Sequence, residues 1–67
     1  MISLTINGRD VRLENAMTIA QLLASKNLHA KIVVVEHNRQ IVPRERYDAV
    51  LLGAGDELEI VQMMAGG

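Results

Sequence analysis

Asn7-Gly8 constrains this chain more than any other pair of its residues. Before it, Ile2, Leu4 and Ile6 alternate with Ser3 and Thr5; after it, Val11 and Leu13 alternate with Asp10 and Arg12. Alternation of this kind marks half-buried strands. Asn-Gly suits a type I′ hairpin, whose two central residues both need positive φ. Taken as a two-residue loop, the pair sets Ile6 opposite Arg9, Leu4 opposite Val11 and Ile2 opposite Leu13. The apolar residues then share one face, while Ser3 opposes Arg12 and Thr5 opposes Asp10 on the other. A slip of one residue would turn Val11 and Leu13 onto the polar face. Turn chemistry and face pattern therefore agree on one register.

A hairpin with one apolar face needs a cover, and the next segment supplies it. Thr18 is a good N-cap, and Gln21 stands at the capping-box spacing. Met17 and Leu22 are placed to form a hydrophobic staple across the start. Ile19, Leu22 and Leu23 lie on one helical stripe, which the Lys26 stem extends. Asn27 tolerates the left-handed conformation that ends a helix. The expected helix is about nine residues long, too short to hold without a sheet beneath it.

Farther on, Ile32-Val33-Val34-Val35 reads as a strand buried on both faces or nearly so. Glu36 to Gln40 reads as a polar turn. Ile41-Val42 is a short strand stopped by Pro43, which belongs at an edge or end. Arg44 to Asp48 reads as a solvated turn or short helical turn. Ala49-Val50-Leu51-Leu52 packs against something apolar, with its geometry left open. Gly53 to Asp56 is a turn, and Leu58 to Met64 the last strand. The order hairpin, helix, strand, short strand, loop, strand is satisfied by an α+β fold of β-grasp (ubiquitin-like) type. Such a fold is a mixed sheet with one helix packed across one face, and its first and last strands lie parallel at the centre. The expected domain spans residues 1–64, with residues 65–67 as a flexible C-terminal diglycine tail.

Sixty-seven residues allow one small domain. A chain of that size buries only about 60% of its unfolded surface. Cysteine is absent, and with it disulfides, thiolate nucleophiles and Cys-based metal sites. A net charge of −1 and a single aromatic residue, Tyr47, argue against a nucleic-acid partner. No apolar run approaches the ~20 residues of a membrane span. The first residues lack a basic start and a signal-type apolar stretch. The expected location is cytoplasmic.

Side-chain chemistry is sparse. Gly53-Ala54-Gly55-Asp56 precedes a strand instead of a helix and carries acids, so a turn suits it better than a phosphate loop. His29 and His37 read as surface histidines, not metal ligands. Ser3 and Ser25 have no placed base, and the scattered carboxylates form no evident acid–base pair. No catalytic residue and no metal site is expected, nor a cofactor bound by this chain. What remains is the end of the sequence, Ala65-Gly66-Gly67. Two glycines can extend or thread a channel too narrow for side chains, reaching roughly 7 Å when extended. Such an end is either frayed, as termini often are, or a tail that presents a carboxylate. Val61 and Met63 project from the last strand opposite Leu58 and Ile60. They are either an exposed partner-binding patch beside the tail, or covered by Ala49–Leu52, or ordinary surface apolar residues.

Gln40-Ile41-Val42-Pro43-Arg44-Glu45, Gly55-Asp56 before the last strand, and terminal Ala65-Gly66-Gly67 together resemble the ThiS family, sulfur carriers of thiamine biosynthesis. The resemblance spans the whole chain, and the Ile41–Glu45 stretch is its most specific part. The terminal diglycine is shared with the small subunit of molybdopterin synthase and with ubiquitin-like proteins. The resemblance implies a carrier, not an enzyme. A ThiF-type adenylating enzyme would use ATP to activate the Gly67 carboxylate, with Gly66 and Ala65 threading into its site. A sulfur donor (a persulfide, from a cysteine desulfurase or equivalent) would convert it to a thiocarboxylate. Thiazole synthase would then receive the sulfur. Delivery to molybdopterin, tRNA or another product, or use as a ubiquitin-like modifier, stays open at this stage. So does a plain binding module.

Overall fold

The computed structural model describes residues 1–63. Met64 and the tail at Ala65, Gly66 and Gly67 lie outside the described residues. The strands are β1 (Ile2–Ile6), β2 (Arg9–Leu13), β3 (Val33–His37), β4 (Gln40–Ile41) and β5 (Glu57–Gln62). They form one five-stranded sheet in the order β2-β1-β5-β3-β4. The helix α1 covers Ile19–Ser25. β1 and β5 are parallel and every other pairing is antiparallel. This is the β-grasp arrangement.

The first hairpin has the register read from the sequence, from Ile2 opposite Leu13 to Ile6 opposite Arg9. Its turn has φ of 52° at Asn7 and 81° at Gly8. The capping box is formed in both directions. Gln21 N–H donates to Thr18 Oγ1 at 3.1 Å, and Thr18 N–H donates to Gln21 Oε1 at 2.9 Å. The helix is seven residues long, shorter than expected, because it closes with Lys26 as its C-cap. Asn27 follows with φ of 59°. Its N–H donates to Ala24 O, and Leu28 N–H donates to Leu23 O. These two bonds define a Schellman motif, which satisfies carbonyls left open at the helix end. Lys26 is exposed, so the partly buried Leu28, not the Lys26 stem, continues the apolar stripe.

Several expectations are corrected. The third strand begins at Val33, since Ala30–Ile32 forms a 3₁₀ turn. It buries Val33 and Val35 on one face only, because among the described residues no second layer covers the other. Glu36 and His37 belong to that strand, and the turn shrinks to Asn38-Arg39, with φ of 53° and 73°. Arg39 occupies a left-handed position that glycine or asparagine would take more readily, so its sequence gave no hairpin signal. Tyr47 is no solvated residue; at 4% exposure it is part of the core. The last strand is Glu57–Gln62, so it starts one residue earlier than expected and stops before Met63.

Tyr47 to Leu52 proves to be a cap for the helix. Ile19 N–H donates to Val50 O at 3.1 Å and Ala20 N–H to Tyr47 O at 2.9 Å. With Thr18 holding Gln21, the first-turn donors that a helix leaves open all have partners. Leu52 N–H donates to Met17 O, and the Leu52 side chain is 1% exposed. The core lies between α1 and the inner face of the sheet, built on Leu4, Ile6, Ile19, Leu23, Val35 and Leu58. No helix among the described residues is long and apolar enough to cross a membrane.

A polar cluster braces the turns at one end of the sheet. His37 Nε2 lies 2.8 Å from Asp56 Oδ2, so this partly exposed histidine is held by a carboxylate. Gly53 N–H donates to Asp56 at 2.8 Å, and Asn38 Oδ1 accepts from Glu57 N–H at 2.9 Å. Burial works to raise the pKa of Asp56. The hydrogen bonds from His37, the Gly53 N–H and Asn38 outweigh it, holding the carboxyl below its usual value. A depressed pKa contributes stability that is full above the unfolded value, about 4, and is lost as pH falls through the lower folded value. Urea midpoints should therefore fall as the pH is lowered below about 5, and Asp56→Asn should flatten that fall. An identical acid dependence in the two proteins would count against the brace.

Candidate functional site

The candidate site is the sheet face that α1 does not cover, at the end where β5 leaves it. Along β5 the side chains alternate. Leu58 and Ile60 are buried toward the helix, while Glu57, Glu59 and Val61 point outward. Val61 is 57% exposed and Met63 47%. The Ala49–Leu52 segment cannot shield them, since it is bound to the start of the helix across the sheet. The structure thus removes one of the three readings of these two residues.

Their neighbours separate a patch from scattered exposure. Val34 stands directly opposite Val61 on the same face. Ile32 is exposed beside them, and its carbonyl accepts from Met63 N–H at 2.6 Å. One row along, Ile41 of β4 opposes Glu36 and is 67% exposed. Val42 N–H donates to Val35 O at 2.9 Å, so the pairing runs on toward Pro43. The apolar band crosses β5 and β3 to the edge strand. There it meets the Ile41–Glu45 stretch on which the family resemblance rests. Contiguous apolar surface of this kind is characteristic of contact sites.

The band has an acidic border. Glu36 and Glu59 are direct cross-strand partners, and Glu57 lies on the same face. Arg39 Nε reaches Glu57 Oε1 only at 3.9 Å, with both side chains largely exposed, so the pair contributes little. Two like charges facing each other across a ladder are destabilising. The open face thus bears a local cost at Glu36 and Glu59.

Among the described residues, no three His, Asp or Glu side chains lie close enough to hold a metal ion. Of the residues singled out from sequence, Val61 and Met63 come together beside the exit of β5, whereas Ala65, Gly66 and Gly67 lie outside the described residues. Sequence reading missed Val34, Ile41 and Glu36 as members of the same face. For Val34 the alternation through β3 carried the signal. For Ile41 none existed without the register of the Asn38-Arg39 turn.

Comparison with known proteins places this geometry in context. The ThiS family model matches residues 4–67. The sulfur carrier protein ThiS of Bacillus subtilis (strain 168) is 46% identical over 65 residues, covering 96% of this chain and 98% of that protein. A thiazole synthase of Paramagnetospirillum magneticum is 38% identical over 66 residues, covering 98% of this chain but only 20% of the synthase. The crystal structure of the thiamine biosynthesis protein ThiS from Geobacter metallireducens superposes with a TM-score of 0.84 at 30% identity, covering 98% of this chain and all of the other.

Glu59→Lys replaces the repulsion at Glu36 by an opposite-charge pair. It should raise stability by about 0.5 kcal/mol, read as a higher urea midpoint. A lower midpoint would mean that the two carboxylates are not in effective contact.

Proposed function

The chain belongs to the ThiS family, and from that premise we propose that it is a sulfur carrier for thiazole formation in thiamine biosynthesis, loaded at Gly67. The observation that carries this reading is the placement of β5. It is the central strand, paired on both sides, and it carries the exposed Val61 near its end, with the exposed Met63 just beyond it. A partner that grips this patch meets the start of the tail. The family match itself extends through Gly67.

The chemistry proceeds on the tail while other proteins catalyse it. A ThiF-type adenylating enzyme binds ATP and the open face together, with Gly66 and Ala65 threading into its site. A Gly67 carboxylate oxygen attacks the α-phosphate, pyrophosphate leaves, and an acyl-adenylate forms. A sulfur nucleophile drawn from a persulfide adds to the carbonyl carbon, and AMP departs with the oxygen it received. Cleavage of any S–S link to the donor by a thiol leaves a thiocarboxylate on Gly67. The chain needs no cofactor of its own, because ATP is the partner's substrate. We place the reaction in the cytoplasm.

Thiazole synthase is the proposed acceptor. Two synthases, 38% and 34% identical to this chain, each contain a stretch similar to nearly all of it. Carriage of one domain within the other protein supports a shared task, and it favours thiazole over molybdopterin or tRNA as the destination. The contiguity of Val61, Met63 and Val34 supports a role for that patch in gripping the partners.

Incubation with a ThiF-type enzyme, ATP and a sulfur source should exchange one terminal oxygen for sulfur, seen by intact-mass spectrometry. Deleting Gly67 should abolish the exchange and leave the melting temperature unchanged. A full-length chain that keeps its mass while a known carrier reacts alongside it would sink the proposal.

A further inference from the structure

We propose that Asn7 is a positioning residue for the end of β5, a side-chain clasp that sets where the β1 side of the sheet releases that strand while β3 still holds it; this rests on the carrier reading and deepens it. β1 pairs with β5 only through Thr5 opposite Glu57 and Ile6 opposite Leu58. Asn7 N–H then donates to Leu58 O at 2.8 Å, and the chain turns away into β2. β5 continues past that point with no strand on its β1 side among the described residues.

The Asn7 side chain fills the next place in the ladder. Its Oδ1 accepts from Ile60 N–H at 2.7 Å, and its Nδ2 donates to Ile60 O at 3.2 Å. A primary amide offers a donor and an acceptor as a backbone peptide does. One side chain therefore stands in for a missing residue of β1. On its other side β5 stays paired with β3 from Glu36 opposite Glu59 to Val33 opposite Gln62. Ile60 is the last described residue of β5 held from both sides. Val61, the first member of the patch, follows at once.

Asn7 combines two requirements that few residues meet. Its φ of 52° lies in the left-handed region, which asparagine tolerates better than most residues. Its amide must also supply both hydrogen bonds. Glycine would keep the turn and lose the clasp. Aspartate would keep the acceptor for Ile60 N–H but turn a second oxygen toward Ile60 O. Residues 61–63 are held from one side by β3 and by the Ile32 carbonyl, and the clasp on Ile60 fixes the other edge of the strand just before them. Without it, part of the docking free energy is spent ordering that segment. The loss then falls on KM, not on the step that follows docking.

Asn7→Gly tests this against a matched control. Gly8→Ala strains the same turn at φ of 81° with open space around the new methyl, and leaves the clasp intact. In Asn7→Gly, amide exchange at Ile60 should speed up at least ~10-fold. The KM of the adenylating enzyme for the carrier should rise about 5-fold, with kcat within about 2-fold of the parent. Gly8→Ala should lose stability without moving KM, both assayed well below their melting temperatures. Equal KM shifts in the two variants, or none in Asn7→Gly, would overturn the clasp's role while the parent still reacts. A parent chain that is never adenylated overturns the carrier reading and the positioning role with it.

Discussion

The parallel pairing of β1 with β5 holds the two halves of the sheet together. Without it, the β2-β1 hairpin and the β5-β3-β4 group share no ladder. The pairing joins Thr5 to Glu57, nearly the full described length apart, so its loop-closure entropy must be met by contacts formed elsewhere. Those contacts lie under the helix. Leu58, 1% exposed, sits on the shared strand and packs into the same core as Leu4, Ile6 and Ile19. The helix in turn depends on the segment before β5, whose carbonyls at Tyr47 and Val50 take its first-turn donors. Sheet closure, core and helix start are thus coupled, which is how a small chain without disulfides gains cooperativity.

The parts of this fold legible in the sequence are those where two local signals agree. At Asn7-Gly8 the turn residues and the alternation on either side choose the same register, and the structure has it. At Thr18 and Gln21 the capping spacing and the apolar stripe choose the same helix start. Where one signal stands alone, it misleads. Arg39 hides a turn whose geometry matches that at Asn7-Gly8, so the run from Glu36 to Gln40 reads as loop although most of it is strand. Tyr47 sits among charged residues, and only the packing of the chain over the helix start makes it a core residue. The exposed side of Val61 followed from parity along β5, whereas the rest of the patch needed the β3 and β4 registers.

The candidate site shows how little side-chain chemistry a carrier needs. Its open face combines an apolar band with opposed carboxylates at Glu36 and Glu59, an arrangement that costs some stability. Surfaces that are locally unfavourable in the free protein are common where a contact is to be made. The brace of His37, Asp56 and Asn38 holds the turns at the start of β5, whereas Val61 and Met63 lie beyond the other end of the strand's buried stretch.

The second hairpin turn has a wider meaning for how the molecule opens. β4 is two residues long, lies at the sheet edge, and is reached through Arg39 with φ of 73°. Strain, brevity and exposure coincide there, features that favour local opening of Gln40 and Ile41. Such opening peels the sheet from the β4 side and leaves β5 between β1 and β3. The molecule can therefore breathe at one margin without disturbing the strand that leads to Gly67. A protease sampling these fluctuations would meet the exposed Gln40–Ile41 edge before it met the centre of the sheet.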